Sequence, residues 1–299
     1  MARLFGIAGV QMSVIPWDAE ATIQKMGQVT TRIARSFPFV QMVVFHELAV
    51  SGLVQFDAIP DRQQWQNLLQ PIPGPFSDQL CAIARREKRW LIPGSMYERD
   101  GDAIYNTSLA ISPDGDIVAK YRKIFPWLPL ESEVTAGREF CVFDVPDIGR
   151  FGLSICYDMW FPEMIRTLVW MGAEVILHPT MTPTSDRELE VVLSQANSIM
   201  NQCYFVDING IGPWGGGRSM IADPDGRILQ QAGHQETILT EILDLDRVHR
   251  AREYGNLGLA QTLKQLRDTN IQFPPYQQDF GSGEVFRDLG ALRPPTNLR

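Results

Sequence analysis

The stretch Ser108-Leu-Ala-Ile-Ser-Pro-Asp-Gly-Asp-Ile-Val-Ala-Lys120 reads as two short apolar strands joined at Pro113-Asp-Gly115. There proline fixes φ and glycine supplies the freedom that a tight turn needs. Ser219-Met-Ile-Ala-Asp-Pro-Asp-Gly-Arg-Ile228 repeats the pattern, with Ser108 and Pro113 recurring in register as Ser219 and Pro224. A looser echo links Val43-Val-Phe-His46 to Val175-Ile-Leu-His178. The repetition predicts two similar halves, each a sheet covered by helices on one side. Two such sheets bury their bare faces on each other, so the expected fold is α/β (α+β), a four-layer α-β-β-α sandwich of two stacked sheets.

Outward from the first hairpin, strand and helix alternate. Residues 3–12 form an opening strand, residues 18–35 carry apolar side chains at helical spacing, and residues 41–45 make an apolar strand ending in His46-Glu47. A helix over 76–88 and a strand over 90–93 follow. In the second half, helices over 163–171 and 187–201 alternate with strands over 204–208 and 237–243. Gly212-Pro-Trp-Gly-Gly-Gly217 lacks the lysine or the glycine spacing of a phosphate or dinucleotide loop and reads as a plain loop. No linker separates the halves, so residues 1–268 are expected to form one domain. Residues 269–299, rich in proline, glycine and glutamine, are a tail. Two readings of it stand: a loosely held surface segment, or a strap around a neighbouring subunit anchored by Phe273, Tyr276 and Phe286.

With 299 residues, 44% apolar and 21% charged, the chain can bury a sizeable core. A net charge of -8 argues against a nucleic-acid or anionic-membrane partner, either of which needs a basic face. The first residues lack a signal-peptide pattern and no run approaches a membrane span, so a cytoplasmic protein is expected. Cys81, Cys141, Cys156 and Cys203 are widely spaced, with no Cys-x-x-Cys and no neighbouring histidine pair. They read as free thiols, and neither zinc nor any other cofactor is implied.

The chemistry centres on Arg150-Phe-Gly-Leu-Ser-Ile-Cys-Tyr-Asp-Met-Trp-Phe-Pro-Glu163. Phe151 to Ile155 read as a buried strand, and Pro162 with Glu163 as the first turn of a helix. Cys156 lies at the junction, where a thiol faces the positive end of a helix and gains thiolate character. A lone cysteine is as readily a small core residue. Two further segments, Val43-Val-Phe-His-Glu47 and Val118-Ala-Lys-Tyr-Arg-Lys123, also place polar residues directly after an apolar strand. Strand ends at one sheet edge converge on a cleft, so a glutamate, a lysine and a cysteine can meet there. These are the parts of acyl transfer: a base, a nucleophile and a cation for the oxyanion.

Taken together, Phe45-His-Glu47, Tyr121-Arg-Lys123 and Cys156-Tyr-Asp158 with Phe161-Pro-Glu163 resemble the nitrilase or carbon-nitrogen hydrolase superfamily over roughly residues 3–260. That family has the same four-layer sandwich. The resemblance implies Cys156 as nucleophile, Glu47 as general base, Lys123 as the charge holding the tetrahedral intermediate, and Glu131 as a further catalytic glutamate. The backbone N–H of Tyr157 would supply a second oxyanion donor. Trp127, Tyr157, Trp160 and His178 are the candidate substrate contacts. The resemblance further implies a homo-oligomer, commonly a dimer built on the helices next to the cysteine.

Each residue has a plainer reading. Glu47 could close a strand at the surface, Lys123 competes with Lys120 and Arg122 as merely solvated charge, and Glu131 could be a turn residue among prolines. Asp158 and Glu163 read as helix caps that brace the loop. His46 and His178 tempt a Cys-His reading but have no positioned partner, and both read as structural. The run Lys123-Ile-Phe-Pro-Trp-Leu-Pro-Leu-Glu131 looks most like the aliphatic-amidase and formamidase branches. Met159-Trp160 stand where members acting on N-carbamoyl amino acids often carry arginines. The expected activity is therefore hydrolysis of a small, neutral amide through a thioester, releasing ammonia and a carboxylic acid, with water as the second reactant. A nitrilase, an N-carbamoyl amidohydrolase and a non-catalytic interaction module on the same fold are the alternatives. One departure from the family pattern is Ser198-Ile-Met-Asn201, where an acid often precedes the asparagine.

Overall fold

The structure is a computed structural model that describes residues 2–52, 62–128, 131–255, 258–276, 283, 286 and 289–290. The first half runs β1 (Leu4–Gln11), α1 (Ala19–Ser36), β2 (Val40–Phe45), α2 (Arg62–Leu68), α3 (Pro75–Glu87), β3 (Trp90–Ile92), β4 (Ser95–Asp100), β5 (Ala103–Ile111) and β6 (Ile117–Arg122). The second runs β7 (Cys141–Val145), β8 (Gly149–Leu153), α4 (Pro162–Trp170), β9 (Val175–Thr180), α5 (Arg187–Asn201), β10 (Tyr204–Asn209), the short strands β11 (Ile211–Gly212) and β12 (Gly215–Gly216), β13 (Met220–Ala222), β14 (Ile228–Gln231), β15 (Thr237–Asp244), α6 (Leu245–Tyr254) and α7 (Thr262–Asp268). Most of the tail beyond Tyr276 lies outside the described residues.

The expected repetition is present in the topology. In the first sheet β1, β2 and β3 run parallel, and β5 and β6 follow antiparallel. In the second, β8, β9 and β10 run parallel, and β13 and β14 follow antiparallel. The two hairpin turns close alike: the Gly115 N–H reaches the Ser112 carbonyl at 2.9 Å and the Gly226 N–H reaches the Asp223 carbonyl at 2.8 Å. Both glycines have φ of +81°, which explains why proline-aspartate-glycine recurs there. β4 extends the first sheet beside β5, and β7 extends the second beside β8. At the opposite edge β15, from the second half of the chain, pairs with β1 and completes the first sheet.

Side-chain alternation sorts the layers. Phe5, Ile7, Met42, Val44, Trp90 and Ile92 of the first sheet share a core with Phe143, Phe151, Leu153 and Phe205 of the second. Phe5 meets Phe151 edge-on at 5.4 Å and Trp90 meets Phe143 at 5.8 Å, locking the two sheets face to face. The alternate positions Ala8, Val10, Val43, Phe45 and Leu91 face Ile23, Met26, Leu80 and Ile83 of α1 and α3. Met164, Ile165 and Leu168 of α4 cover the outer face of the second sheet. The result is the α-β-β-α sandwich. The glycine-rich segment is not a plain loop but a two-stranded ribbon of β11 and β12.

Gly94, between β3 and β4, has φ of +77°, and a Cβ there would lie 1.7 Å from the His46 carbonyl oxygen. Gly101, in the β4–β5 turn, has φ of +61° with open space around it. Gly101→Ala is expected to lose about 1 kcal/mol of stability, the left-handed penalty alone. Gly94→Ala adds a backbone clash beside Glu47 and is expected to lose several kcal/mol in urea unfolding, at least twice as much. Equal losses would refute the close approach of Gly94 to the His46 carbonyl.

Candidate active site

Five chain segments meet at one point between the sheets. β2 delivers Glu47, whose backbone N–H bonds the Thr180 carbonyl at the end of β9 at 3.2 Å. β5 carries Asn106 at its middle. Lys123 follows β6, its N–H held by the Asn106 carbonyl at 2.9 Å. Glu131 comes from the loop after it, and Cys156 follows β8. Pro129 and Leu130 of that loop lie outside the described residues.

The Lys123 ammonium is 2.9 Å from Glu47 Oε1 and 2.8 Å from Glu131 Oε2. Asn106 Nδ2 donates to Glu47 Oε1 at 2.8 Å and to Glu131 Oε1 at 3.1 Å. Glu131 Oε2 accepts the Trp127 N–H at 2.5 Å. The three charged side chains are all but sealed from solvent, a placement that is stable only because each is paired. Burial alone would depress the Lys123 ammonium, but Glu131, Glu47 and the Cys156 sulfur hold it well above the usual lysine range. Burial raises the Glu47 carboxyl, and Lys123 pulls it back only in part.

Cys156 lies close enough to Glu47 for each to shift the other's proton affinity, and its Sγ is 3.7 Å from Thr182 Oγ1. Burial pushes the thiol well up, Glu47 adds to that, and Lys123 opposes it. Burial and Glu47 both disfavour the thiolate at rest, so the sulfur keeps its proton until a base takes it. The cysteine has φ of +47°, a left-handed conformation that non-glycine residues hold only where their surroundings impose it. Asp158 is part of that surrounding. Its Oδ2 accepts the Tyr121 hydroxyl at 2.6 Å and the Ile155 N–H at 2.8 Å, and its Oδ1 accepts the Phe125 N–H at 3.0 Å.

Cys156 also opens on a cavity of about 260 Å³. It is lined by Trp127, Tyr157, Trp160, Met181, Thr182, Asp186 and Glu190. This arrangement coincides with what sequence comparison finds. Residues 6–253 match the family model described as carbon-nitrogen hydrolase.

The chain belongs to the carbon-nitrogen hydrolase family.

Similar proteins include a formamidase of Bacillus cereus, 27% identical over 225 residues that cover 73% of this chain and 65% of the formamidase. The omega-amidase NIT2 of Mus musculus is 30% identical over 201 residues, covering 62% of this chain and 72% of that protein. Among solved structures, Nit3 of Saccharomyces cerevisiae, of the nitrilase superfamily, superposes with a TM-score of 0.76 at 25% identity, over 87% of this chain and 97% of that one. The amidase of Nesterenkonia shares the fold, with a TM-score of 0.71 at 22% identity, over 83% of this chain and 93% of that one.

In this member of the family, Glu47, Lys123, Glu131 and Cys156 meet, and Trp127, Tyr157 and Trp160 line the cavity. His178 does not. It lies inside β9 and is wholly buried, with Nδ1 2.7 Å from Ser154 Oγ, and burial drives its pKa well below the usual histidine value. The helix expected to open at Pro162 and Glu163 begins there as α4, and a 3-10 turn, Cys156–Trp160, lies between it and the strand that precedes the cysteine. In the departure segment, Ser198 and Asn201 are buried and do not line the cavity.

Sequence reasoning missed Asn106, Thr182 and Glu190. Thr182 Oγ1 donates to Glu190 Oε1 at 2.9 Å, Glu190 Oε2 is 3.2 Å from Arg187, and Arg187 is 2.9 Å from Asp207. The signal for Glu190 was the Arg187-x-x-Glu190 spacing on a helix, which by itself reads as a surface ion pair.

Asp158→Asn leaves one of three N–H or O–H donors facing an amide NH₂. It is expected to lower stability by about 2–3 kcal/mol in chemical denaturation, whereas a loss near zero would deny Asp158 its bracing role. Burial lifts the Glu190 carboxyl to about 7 from its ordinary 4.5, with Arg187 pulling it back. Between those values the folded protein holds a proton that the unfolded chain releases. The stabilisation is complete below about pH 4.5 and lost as pH rises through about 7. Glu190→Gln removes this titration, so the wild type should lose about 3 kcal/mol relative to the variant across that window. Paired denaturation curves at each pH measure it, and a difference that does not change with pH would refute the assignment.

Proposed function

We propose that this chain hydrolyses the C–N bond of small amides through a Cys156 thioester. The observation that carries the reading is the juxtaposition of Lys123, clamped by Glu47 and Glu131, with a cysteine that opens on a cavity. In this mechanism Glu47 takes the Cys156 thiol proton as Sγ attacks the amide carbon. The Lys123 ammonium and the Tyr157 N–H stabilise the oxyanion, a kind of contact typically worth about 3 kcal/mol, or roughly a hundredfold in rate. Glu47 passes the proton to the leaving nitrogen and ammonia departs. Water then attacks the thioester, Glu47 accepts its proton, and the acid leaves as the thiol is re-formed. Glu131 fixes the ammonium and, with Asn106, keeps the Glu47 carboxylate aimed.

The cavity volume favours a substrate of a few heavy atoms, and the formamidase and omega-amidase names of the relatives favour an amide over a nitrile. A homo-oligomer joined along α4 and α5 belongs to the same proposal, supported by the exposed Trp170, Leu189 and Val192 on those helices.

Ammonia release from a panel of small amides tests the reading. Cys156→Ala is expected to reduce turnover to background with melting close to wild type, and Glu47→Gln to lower it by about a thousandfold. Iodoacetamide should label Cys156 ahead of Cys81, Cys141 and Cys203. Ammonia release that survives Cys156→Ala would end the proposal.

A further inference from the structure

The cavity beside Cys156 has a charge pattern that the proposed hydrolysis does not require. Among the described residues lining it there is no lysine, arginine or histidine, while two carboxylates, Asp186 and Glu190, are present. Two cations bonded to residues of the site, Lys123 and Arg187, are already engaged. Lys123 is held by two glutamates. Arg187 donates Nε to the Gly217 carbonyl at 3.1 Å, Nη2 to the Arg218 carbonyl at 2.8 Å and to Asp207, and Nη1 to Glu190. A substrate carboxylate entering here would find no partner and would lose its water, which is strongly unfavourable.

The opposite charge would be welcome. Asp186 precedes α5 yet makes no capping bond, and its carboxylate has no hydrogen-bond or ion-pair partner among the described residues. Glu190, beside Thr182, shares Arg187 with Asp207 and holds its proton up to about pH 7, so its negative charge is full only above neutrality. The same cavity is lined by the rings of Trp127, Tyr157 and Trp160, with Tyr157 and Trp160 centroids 6.2 Å apart. Aromatic faces beside carboxylates are the surroundings in which an alkylammonium loses least on leaving water.

We propose that this cavity selects amides carrying a second, positively charged group, an alkylammonium a few atoms from the carboxamide, held by Asp186 and the three aromatic rings. The proposal rests on the amide-hydrolase reading and replaces the neutral amide expected from sequence with a cationic one. The aliphatic part of the substrate packs on Met181 and the rings, and the carboxamide carbon lies at the sulfur.

Three amides of closely similar length test it: 3-aminopropionamide, butyramide and succinamate, which end in an ammonium, a methyl and a carboxylate. Calorimetric titration into the Cys156→Ala protein reads binding without turnover. The ammonium compound is expected to bind about tenfold tighter than butyramide at low ionic strength, with succinamate weakest. The ammonium-to-methyl ratio should shrink with added salt and fall toward one in Cys156→Ala/Asp186→Asn. Equal affinities, tighter succinamate binding, no binding by any of the three, or an Asp186→Asn ratio equal to wild type would overturn the proposal. Ammonia release from butyramide by the wild-type protein is measured separately, so failure of the hydrolase reading is visible apart from failure of the charge selection.

Discussion

Everything at the site hangs on one ammonium. Lys123 lies between Glu47 and Glu131 in a region nearly without solvent, and two carboxylates could not share that region without it. The lysine fixes where each acid points, and Asn106 ties the acids together from the other side. A buried ion triad of this kind adds little to net stability once desolvation is counted. For the proposed reaction it would supply a fixed electrostatic environment for the thiol: a nearby carboxylate of raised basicity and a positive charge that need not move when negative charge develops on a substrate oxygen.

That environment is assembled across the sheet interface. Glu47, Asn106 and Lys123 belong to the first sheet, and Cys156 and Thr182 to the second. Two bridges hold them in register at the site itself: the Glu47 N–H to the Thr180 carbonyl and the Tyr121 hydroxyl to Asp158. Behind them Phe5, Phe143, Phe151 and Trp90 interlock. The aromatic core between the sheets thus sets the distance between sulfur and base, and core packing is linked to chemistry through geometry.

What could be read from sequence was what local patterns encode. Apolar runs marked the strands, and proline-aspartate-glycine in register marked the duplicated hairpins. Polar residues at strand ends marked Glu47, Lys123 and Cys156. Asn106 escaped because a polar residue within Tyr105-Asn-Thr107 looks like any strand position, and its partners lie 59 and 25 residues away. Glu190 escaped because helical spacing does not tell which face is pressed inward. His178 was misplaced because β9 runs to Thr180, so the histidine falls inside the strand rather than at its end. The left-handed turn at Cys156 has no sequence signature apart from glycine, which is not the residue there.

The return of β15 to β1 has a consequence for biosynthesis. Leu4 pairs with Asp244 and Gln11 with Thr237, so the edge of the first sheet stays open until nearly the whole domain has left the ribosome. An emerging first half carries an unpaired, largely apolar strand, the kind of surface that chaperones shield and that aggregates when left bare. Although the two halves repeat one plan, the first is not an independent unit, and a split gene would have to reunite its products before the first sheet could be completed.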